Sequence, residues 1–343
     1  MPERPMTMSD VARRAGVHPA TVSRALRDDP RITPAQRAKV RRAAQELGYR
    51  TNPLVAALMT ARRAGQPPAF RATIGYITKY PKERAARFAR DFGGLLAGAR
   101  ERARAHGYAI EEFNLHDPAL TPHRATEILR HRGIPGVIVA PLHSVHESVQ
   151  LDWGHFSTVA IGYSLSDVPV TRVAHNHFHG LSLAARQCRA AGYRRVGLVL
   201  PRRVHEKVEK RWVASLLLEN SEQPSSRRVP PLLLDELDES LFRAWFRRHQ
   251  PDAVLGLDLG LLTGWLKTLH CAVPHDVALI SLDRRPRDGN IAGIDQDYPA
   301  MGAAAVDLLV AMLHRNERGL PGKPATMLLD GKWAHGATLR VTR

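Results

Sequence analysis

From Thr73 onward, β-type apolar runs and helix-type amphipathic stretches take turns along the chain, and this rhythm restricts the fold more than any other feature. Strands are expected at 73–79, 108–115, 136–141, 158–163, 195–201, 252–257 and 277–282. Helices are expected at 87–106, 122–132, 179–191, 204–220, 236–249, 259–270 and 299–316. A strand that returns to its sheet through a helix pairs in parallel, because only a long crossover brings the chain back in the same direction. Repeated units of this kind give parallel sheets with helices on both faces. A stretch of roughly 270 residues suggests two such lobes rather than one. Ligands of these folds sit beyond the C-terminal ends of the strands, here in the cleft between lobes.

The first 65 residues do not share that rhythm. They hold thirteen Lys/Arg against five Asp/Glu, whereas the whole 343-residue chain carries +17. A basic balance favours polyanionic partners but does not specify a fold. Its concentration in one short segment points to a separate, nucleic-acid-facing head. The remainder excludes several classes. No run of 18 apolar residues occurs, so neither a transmembrane helix nor a membrane partner is expected. The start, MPERPMTMSDVARRAG, lacks the apolar stretch of a secretory signal. Cys188 and Cys271 are too few and too far apart for a zinc site or a disulfide framework, which fits a reducing cytoplasm.

Within the head, Thr7-Met8-Ser9-Asp10 has the form of a capping box. Val11, Ala12 and Ala15 then share one apolar face, and Gly16 supplies a left-handed stop. Pro19 opens a second helix at the position where a missing N–H costs nothing. Val22, Ala25 and Leu26 form its buried stripe, with Thr21, Ser23, Arg24 and Arg27 off it. Asp28-Asp29-Pro30 breaks that helix. Thr33 caps a third, whose inner face is Val40, Ala43, Ala44 and Leu47 and which ends at Gly48-Tyr49. Two short helices around a glycine turn, closed by a third, make a helix-turn-helix unit. Residues 60–71 are small, basic and rich in Pro and Gly, and read as a linker.

MSDVARRAGVHPATVSRAL, followed by ITPAQRAKVRRAAQELGYRTNPLVAALM, resembles the DNA-binding head of the lactose/galactose repressor (LacI/GalR) family of transcriptional regulators. The resemblance implies a head at 1–50, a hinge helix and linker at 51–71, and roles for particular side chains. Arg24 falls at a base-reading position, where Arg is the commonest reader of guanine. Thr21, Ser23, Thr33 and Asn52 match phosphate-contacting positions. Leu58 matches the leucine that wedges into the minor groove. Thr7, His18, Pro19, Ala20, Arg27 and Val55 complete the expected DNA-facing set. His18 replaces the usual serine cap. Pro19 and Ala20 cannot hydrogen-bond a base and can offer only apolar contact. Base-specific hydrogen bonding by the second helix is therefore expected to rest mainly on Arg24.

The segments IGYI (74–77), GVIVAP (136–141), VAIGY (159–163), AAGYRRVGLVL (190–200), VPHDVALISLD (273–283) and QDYPAMGAAAVDLL (296–309) are similar to the family's effector domain, which shares its fold with periplasmic sugar-binding proteins. The expected class is thus an all-α helix-turn-helix head on an α/β core. That core, at 72–343, is two-lobed and periplasmic-binding-protein-like (type I), with doubly wound parallel sheets. Crossovers are expected near 164, 293 and 324, giving an N-lobe of about 72–164 and 294–324 and a C-lobe of about 165–293 and 325–343. By resemblance, Arg211 and Asp283 are the pocket's polar pair, suited to hydroxyl-rich ligands. Tyr298 can stack on a sugar face, and His143, Asn176 and Asp258 are further polar pocket positions. Leu257 and His177 stand where sugar-binding relatives often carry asparagine. LDWGHF, NHFHG and GKWAHGAT point to a divergent subgroup.

Two other readings compete. His175, His177 and His179 alternate, so on a strand they would share one face and could hold zinc or nickel. An enzyme would need a motif, and no G-x-G-x-x-G after a strand, G-x-x-x-x-G-K-[ST], G-x-S-x-G or H-E-x-x-H occurs. The expectation is a non-enzymatic regulator without a cofactor, cytoplasmic and nucleoid-associated. It binds a palindromic double-stranded DNA operator as a homodimer and answers to a sugar or related metabolite. No leucine heptad follows the core, so a coiled-coil tetramer is not expected.

Overall fold

The computed structural model of the chain describes residues 8–26, 31–47, 72–117 and 120–340. The chain divides into two compact units, Met1–Ala69 and Phe70–Arg343. The expected Asp28-Asp29-Pro30 break, hinge and linker lie outside the described residues, as do Thr7, Arg27, Asn52, Val55 and Leu58.

The first unit holds α1 (Met8–Ala15), α2 (Pro19–Ala25) and α3 (Pro34–Glu46). Val11, Ala12, Ala15, Val22, Ala25, Ile32, Val40, Ala43 and Ala44 are buried together, so the stripes read from spacing form one miniature core. Gly16 takes φ 62°, and two bonds close the end of α1: Gly16 N–H to the Arg13 carbonyl and Val17 N–H to the Ala12 carbonyl. This is the Schellman pattern, in which a left-handed residue satisfies orphan carbonyls. The His18 carbonyl accepts from Thr21 and Val22, which places His18 at the cap of α2 and Pro19 at its first position. Thr33 Oγ1 accepts from Gln36 N–H at 3.3 Å and caps α3.

The second unit contains two six-stranded sheets. The first has the order β11-β5-β4-β3-β1-β2, with β1 (Ala72–Thr78), β2 (Tyr108–Asn114), β3 (Gly136–Val139), β4 (Ser157–Ile161), β5 (Thr171–His175) and β11 (Thr326–Leu329). Every recorded pairing in it is parallel. The second has the order β12-β10-β9-β8-β6-β7, with β6 (Val196–Pro201), β7 (Leu232–Leu234), β8 (Ala253–Gly256), β9 (Ala278–Arg284), β10 (Gly293–Asp295) and β12 (Lys332–Ala334). Only β12 runs antiparallel. Strands covered on both faces need continuous apolar runs, and the whole of β3 and β4 is buried. The two-residue period sorts them: Ile74, Tyr76 and Ile138 face one core, Ile77, Val137 and Val139 the other.

Helices α4 (Ala85–Ala105) and α11 (Tyr298–Arg315) cover one face of the first sheet, and α5 (Pro122–His131) the other. The second sheet lies between α6 (His177–Ala190) with α8 (Arg211–Ser221) and α9 (Glu239–His249) with α10 (Leu259–Thr268). A short α7 (Arg202–Lys207) precedes α8. Helices α4 and α11 approach backbone to backbone: a Cβ on Gly98 would strike the Pro299 carbonyl, and one on Gly302 the Leu95 carbonyl.

Strand pairing moves two of the expected lobe boundaries. β5 hydrogen-bonds β4, so the first crossover follows His175 rather than residue 164. β11 hydrogen-bonds β5, so the last crossover lies near Asp330 rather than 324. The second lies between β10 and α11, near Gln296, within a few residues of the expected 293. Short strands at sheet margins gave too little periodic signal: β5, β7, β10, β11 and β12 were not expected at all, and none exceeds five residues. The helix expected at 204–220 is two helices, broken by Glu209 (φ 52°) and Lys210 (φ 62°).

Candidate functional site

The C-terminal ends of the strands in both sheets open on a cavity of about 1060 Å³ between the lobes. Lys79 after β1, Pro141 and Leu142 after β3, Tyr163 after β4 and His175 at the end of β5 line it from one lobe. Pro201, Leu257, Asp258 and Asp283 line it from the other. This is the position that parallel-sheet topology dictates, since loops and helix starts converge there.

One wall is a cluster of polar aromatics. His177 meets Trp212 edge-on at 4.7 Å between centroids, His175 at 5.0 Å and Tyr163 at 5.9 Å. The Arg211 guanidinium lies over Tyr163, 4.6 Å from its centroid. Burial holds the His175 pKa down at about 4 and that of His177 well below its usual value, so both rings are neutral at pH 7. Tyr163 Oη, both ring nitrogens of His175, His177 Nδ1, Trp212 Nε1 and Arg211 Nε have no hydrogen-bond partner among the described residues. A buried polar group without a partner costs about 1–3 kcal/mol. These atoms lie just beneath the wall: Tyr163, His175, His177 and Trp212 line the cavity, and Arg211 backs Tyr163.

The facing wall joins the lobes. Asp283 Oδ2 accepts from Arg285 at 2.6 Å and from Tyr298 Oη at 3.1 Å, and the Arg285 guanidinium stacks over Tyr298 at 4.8 Å. Arg285 also reaches the Asp91 carbonyl on α4, and Arg287 pairs with the Asp91 carboxylate at 2.7 Å. Phe92 stacks on Tyr298 with centroids 6.0 Å apart. Burial raises the Tyr298 pKa well above its usual value, so the phenol keeps its proton and remains a donor to Asp283.

Comparison with known proteins fits both units. Residues 7–52 match the family of bacterial regulatory proteins of the lacI type, and residues 185–337 match the periplasmic binding protein-like domain. The chain belongs to the LacI family. Over 56 residues it is 52% identical to the HTH-type transcriptional regulator GntR of Pseudomonas aeruginosa, a match that spans 16% of each chain. The HTH-type transcriptional regulator reg1 of Streptomyces lividans is 24% identical over 326 residues, 88% of this chain and 89% of that one. Among solved structures, a CelR–cellobiose complex superposes with a TM-score of 0.56 at 19% identity, covering 98% of this chain and 100% of that one. The lac repressor dimer bound to operator and the anti-inducer ONPF gives 0.55 at 19% identity, covering 98% and 99%. At that identity the two structures bear on fold: a helix-turn-helix head and a two-lobed parallel-sheet core.

On this LacI-family frame the cleft brings together four of the six expected effector residues: His143, Asp258, Asp283 and Tyr298. Asp258 is partly committed, since its Oδ1 caps α10 by accepting from Leu261 N–H at 3.1 Å. Burial, then the nearby Arg84 and Arg203, lower the His143 pKa. The other two are not on the cavity surface. Arg211 sits behind Tyr163 and pairs with Glu209 at 2.7 Å, because the break before α8 turns it away. Asn176 is spent on the crossovers: its Oδ1 caps α6 at His179 N–H, and its Nδ2 donates to Asp330 at 2.8 Å. Tyr163, Lys207, Trp212 and Arg285 line the cleft without having been expected. The VAIGY motif carries Tyr163 at a strand end and so gave a usable signal, while Lys207 gave none.

The three histidines do not share a strand face. His175 ends β5, whereas His177 and His179 belong to α6. Among the described residues no group of three or more His, Cys, Asp or Glu side chains is placed to hold a metal. In the head, His18, Pro19 and Arg24 are exposed, Arg24 in the last turn of α2. Thr21 is half-buried, and Ala20 and Ser23 lie on the same helix.

Proposed function

We propose that this LacI-family transcriptional regulator binds a pseudo-palindromic operator in double-stranded DNA as a homodimer, acts as a repressor, and has its operator affinity set by a small polar metabolite in the interlobe cleft. The carrying observation is the cavity at the strand ends with its wall of polar aromatic side chains, in a chain that also bears the family's DNA-binding head. The solved lac repressor dimer on operator and the CelR–cellobiose complex support the reading by fold.

In the head, α2 enters the major groove with Arg24 as base reader. Thr21, Ser23 and Asn52 hold phosphates, with Thr33 fixing the start of α3 beside them. His18, Pro19, Ala20, Thr7, Arg27 and Val55 flank that surface, and Leu58 wedges the minor groove. In the core, Asp283, Tyr298, His143 and Asp258 meet the ligand with Tyr163, His177 and Trp212. Arg211 and Asn176 act from behind, through Tyr163 and through the crossovers. Ligand binding biases the lobe arrangement, and with it operator affinity, a two-state coupling. The protein works in the bacterial cytoplasm and performs no catalysis.

Selection of bound duplexes from a random library with purified full-length protein tests the reading. An enriched inverted repeat supports it, and no enrichment at moderate ionic strength sinks it. Repeating the binding with the enriched duplex against a metabolite panel then tests the coupling.

A further inference from the structure

Eight Lys or Arg side chains line the cleft against four Asp, and each acid has at least one partner, although Asp283 Oδ1 has none among the described residues. Asp91 holds Arg285 and Arg287, Asp283 holds Arg285 and Tyr298, Asp258 caps α10, and Asp288 accepts from the Arg285 backbone N–H. Several cations lack such a partner among the described residues. Lys207 Nζ, at the end of α7, has no hydrogen bond or ion pair among the described residues, and its one close partner is the Phe92 ring, 5.3 Å from centroid to nitrogen. Arg203 on α7 and Arg84, before α4, are likewise without a paired carboxylate among the described residues and line the same cavity. Arg84 belongs to one lobe, Arg203 and Lys207 to the other.

Cations from both lobes thus line one cavity without a paired carboxylate among the described residues. We infer that the cleft's ligand carries an anionic group, a carboxylate or a phosphate, which Lys207, Arg203 and Arg84 receive from opposite lobes, while its polar body lies against the Tyr163–His177–Trp212 wall. The inference rests on the effector-binding reading and names the chemistry of that effector. Burial, and then the repulsion of Arg203, bring the Lys207 pKa down to about 8, so they outweigh the opposing pull of Glu147 and Asp283 on the ammonium. An anion held by Lys207, Arg203 and Arg84 would bridge the two lobes, so its binding favours their approach.

The test reads site and regulation separately. Full-length protein is treated at pH 8 with an amine-acetylating reagent, and Lys207 modification is followed by peptide mass spectrometry. Ionic strength is held constant with chloride, and the probes are inorganic phosphate, gluconate, glucose 6-phosphate and glucose. Expected: phosphate slows Lys207 acetylation, gluconate or glucose 6-phosphate slows it at concentrations at least ten-fold lower, and glucose does not. Which of these two acts at lower concentration separates carboxylate from phosphate. Arg84→Gln and Arg203→Gln should each raise the protecting phosphate concentration several-fold.

Equal protection by glucose, or Lys207 labelling indifferent to every anion, overturns the inference. Operator affinity measured with the same probes then addresses the parent reading. Protection without any change in operator binding leaves the anion site standing and removes its regulatory role. A change in operator binding with glucose alone does the reverse.

Discussion

Replacing Lys207 by methionine should make the protein more stable, and the size and pH dependence of the gain follow from the cleft. The substitution keeps an unbranched stem but removes a half-buried ammonium that has no ion pair among the described residues. Its pKa falls from 10.5 to about 8, chiefly through burial. Each pH unit of such a shift corresponds to about 1.4 kcal/mol, so the charged amine weakens the fold by at most about 3.5 kcal/mol. Allowing for solvent screening of a partly exposed group leaves about 2 kcal/mol. A gain of that size lifts Tm by about 4–8 °C in a domain of this length.

The sign is fixed by linkage. Between pH 8 and 10.5 the unfolded chain holds a proton on this lysine that the folded chain has lost, so wild-type stability rises with pH across that window. The K207M advantage is therefore full below pH 8 and closes toward pH 10.5. The charges facing the amine are Arg203, Glu147, Asp283 and Arg285, and none of these residue types ordinarily titrates in that window. Urea unfolding of both proteins at pH 7, 9 and 10.5 measures the difference. A K207M protein less stable than wild type at pH 7, or a gap constant from pH 7 to 10.5, would refute the reasoning. A residue retained at such a cost to stability is easiest to understand if a ligand offsets it.

Gly302→Ala places a methyl against the Leu95 carbonyl and must separate α4 from α11, so it should lower stability by about 1–3 kcal/mol in urea unfolding. Because the same helices carry Phe92 and Tyr298, ligand affinity should fall with it. Asn176→Ala removes the cap of α6 and the tie to Asp330, a loss of about 1 kcal/mol in the same assay. Its larger effect should be on how strongly cleft ligands alter operator binding. Arg24→Ala should reduce discrimination between operator and random duplex by about 1–3 kcal/mol, measured by competition binding at fixed salt, while affinity for random DNA changes little.

The head was legible because every level of its sequence agrees. A single glycine must supply the left-handed turn, the apolar residues recur at helical spacing, and Thr33-Pro34 starts α3 by cap and ring together. The long buried strands were equally plain, since a run such as Gly136–Val139 has no other stable place than a sheet covered on both sides. The lobe boundaries were not. β5 and β11 are four or five residues long and pair with each other across about 150 residues of sequence, a long-range pairing that leaves no local period. Placing the first crossover near 164 treated the last periodic strand as the edge of its lobe, whereas β5 and β11 extend the sheet beyond it.

The cleft charges were hidden for a different reason. Periodicity from 204 to 220 calls for one helix, and one helix would keep Arg211 in phase with Lys207 on a shared face. The chain instead leaves the helix at Val208, passes two left-handed residues that are not glycine, and restarts at Arg211. Left-handed backbone at such residues costs on the order of 1–3 kcal/mol each. The packing on either side offsets it, with Val208 6% and Trp212 2% exposed in the C-lobe core. That break leaves Lys207 lining the cavity and Arg211 behind Tyr163. Resemblance to the family put Arg211 in the pocket, whereas the cavity surface carries Lys207, because the intervening event is a strained turn packed on residues distant in sequence such as Leu181 and Ile280. A chain that keeps such a turn leaves Lys207 on the cavity surface and withdraws Arg211 to back Tyr163, so the two cations meet a ligand differently: one directly, the other through an aromatic ring.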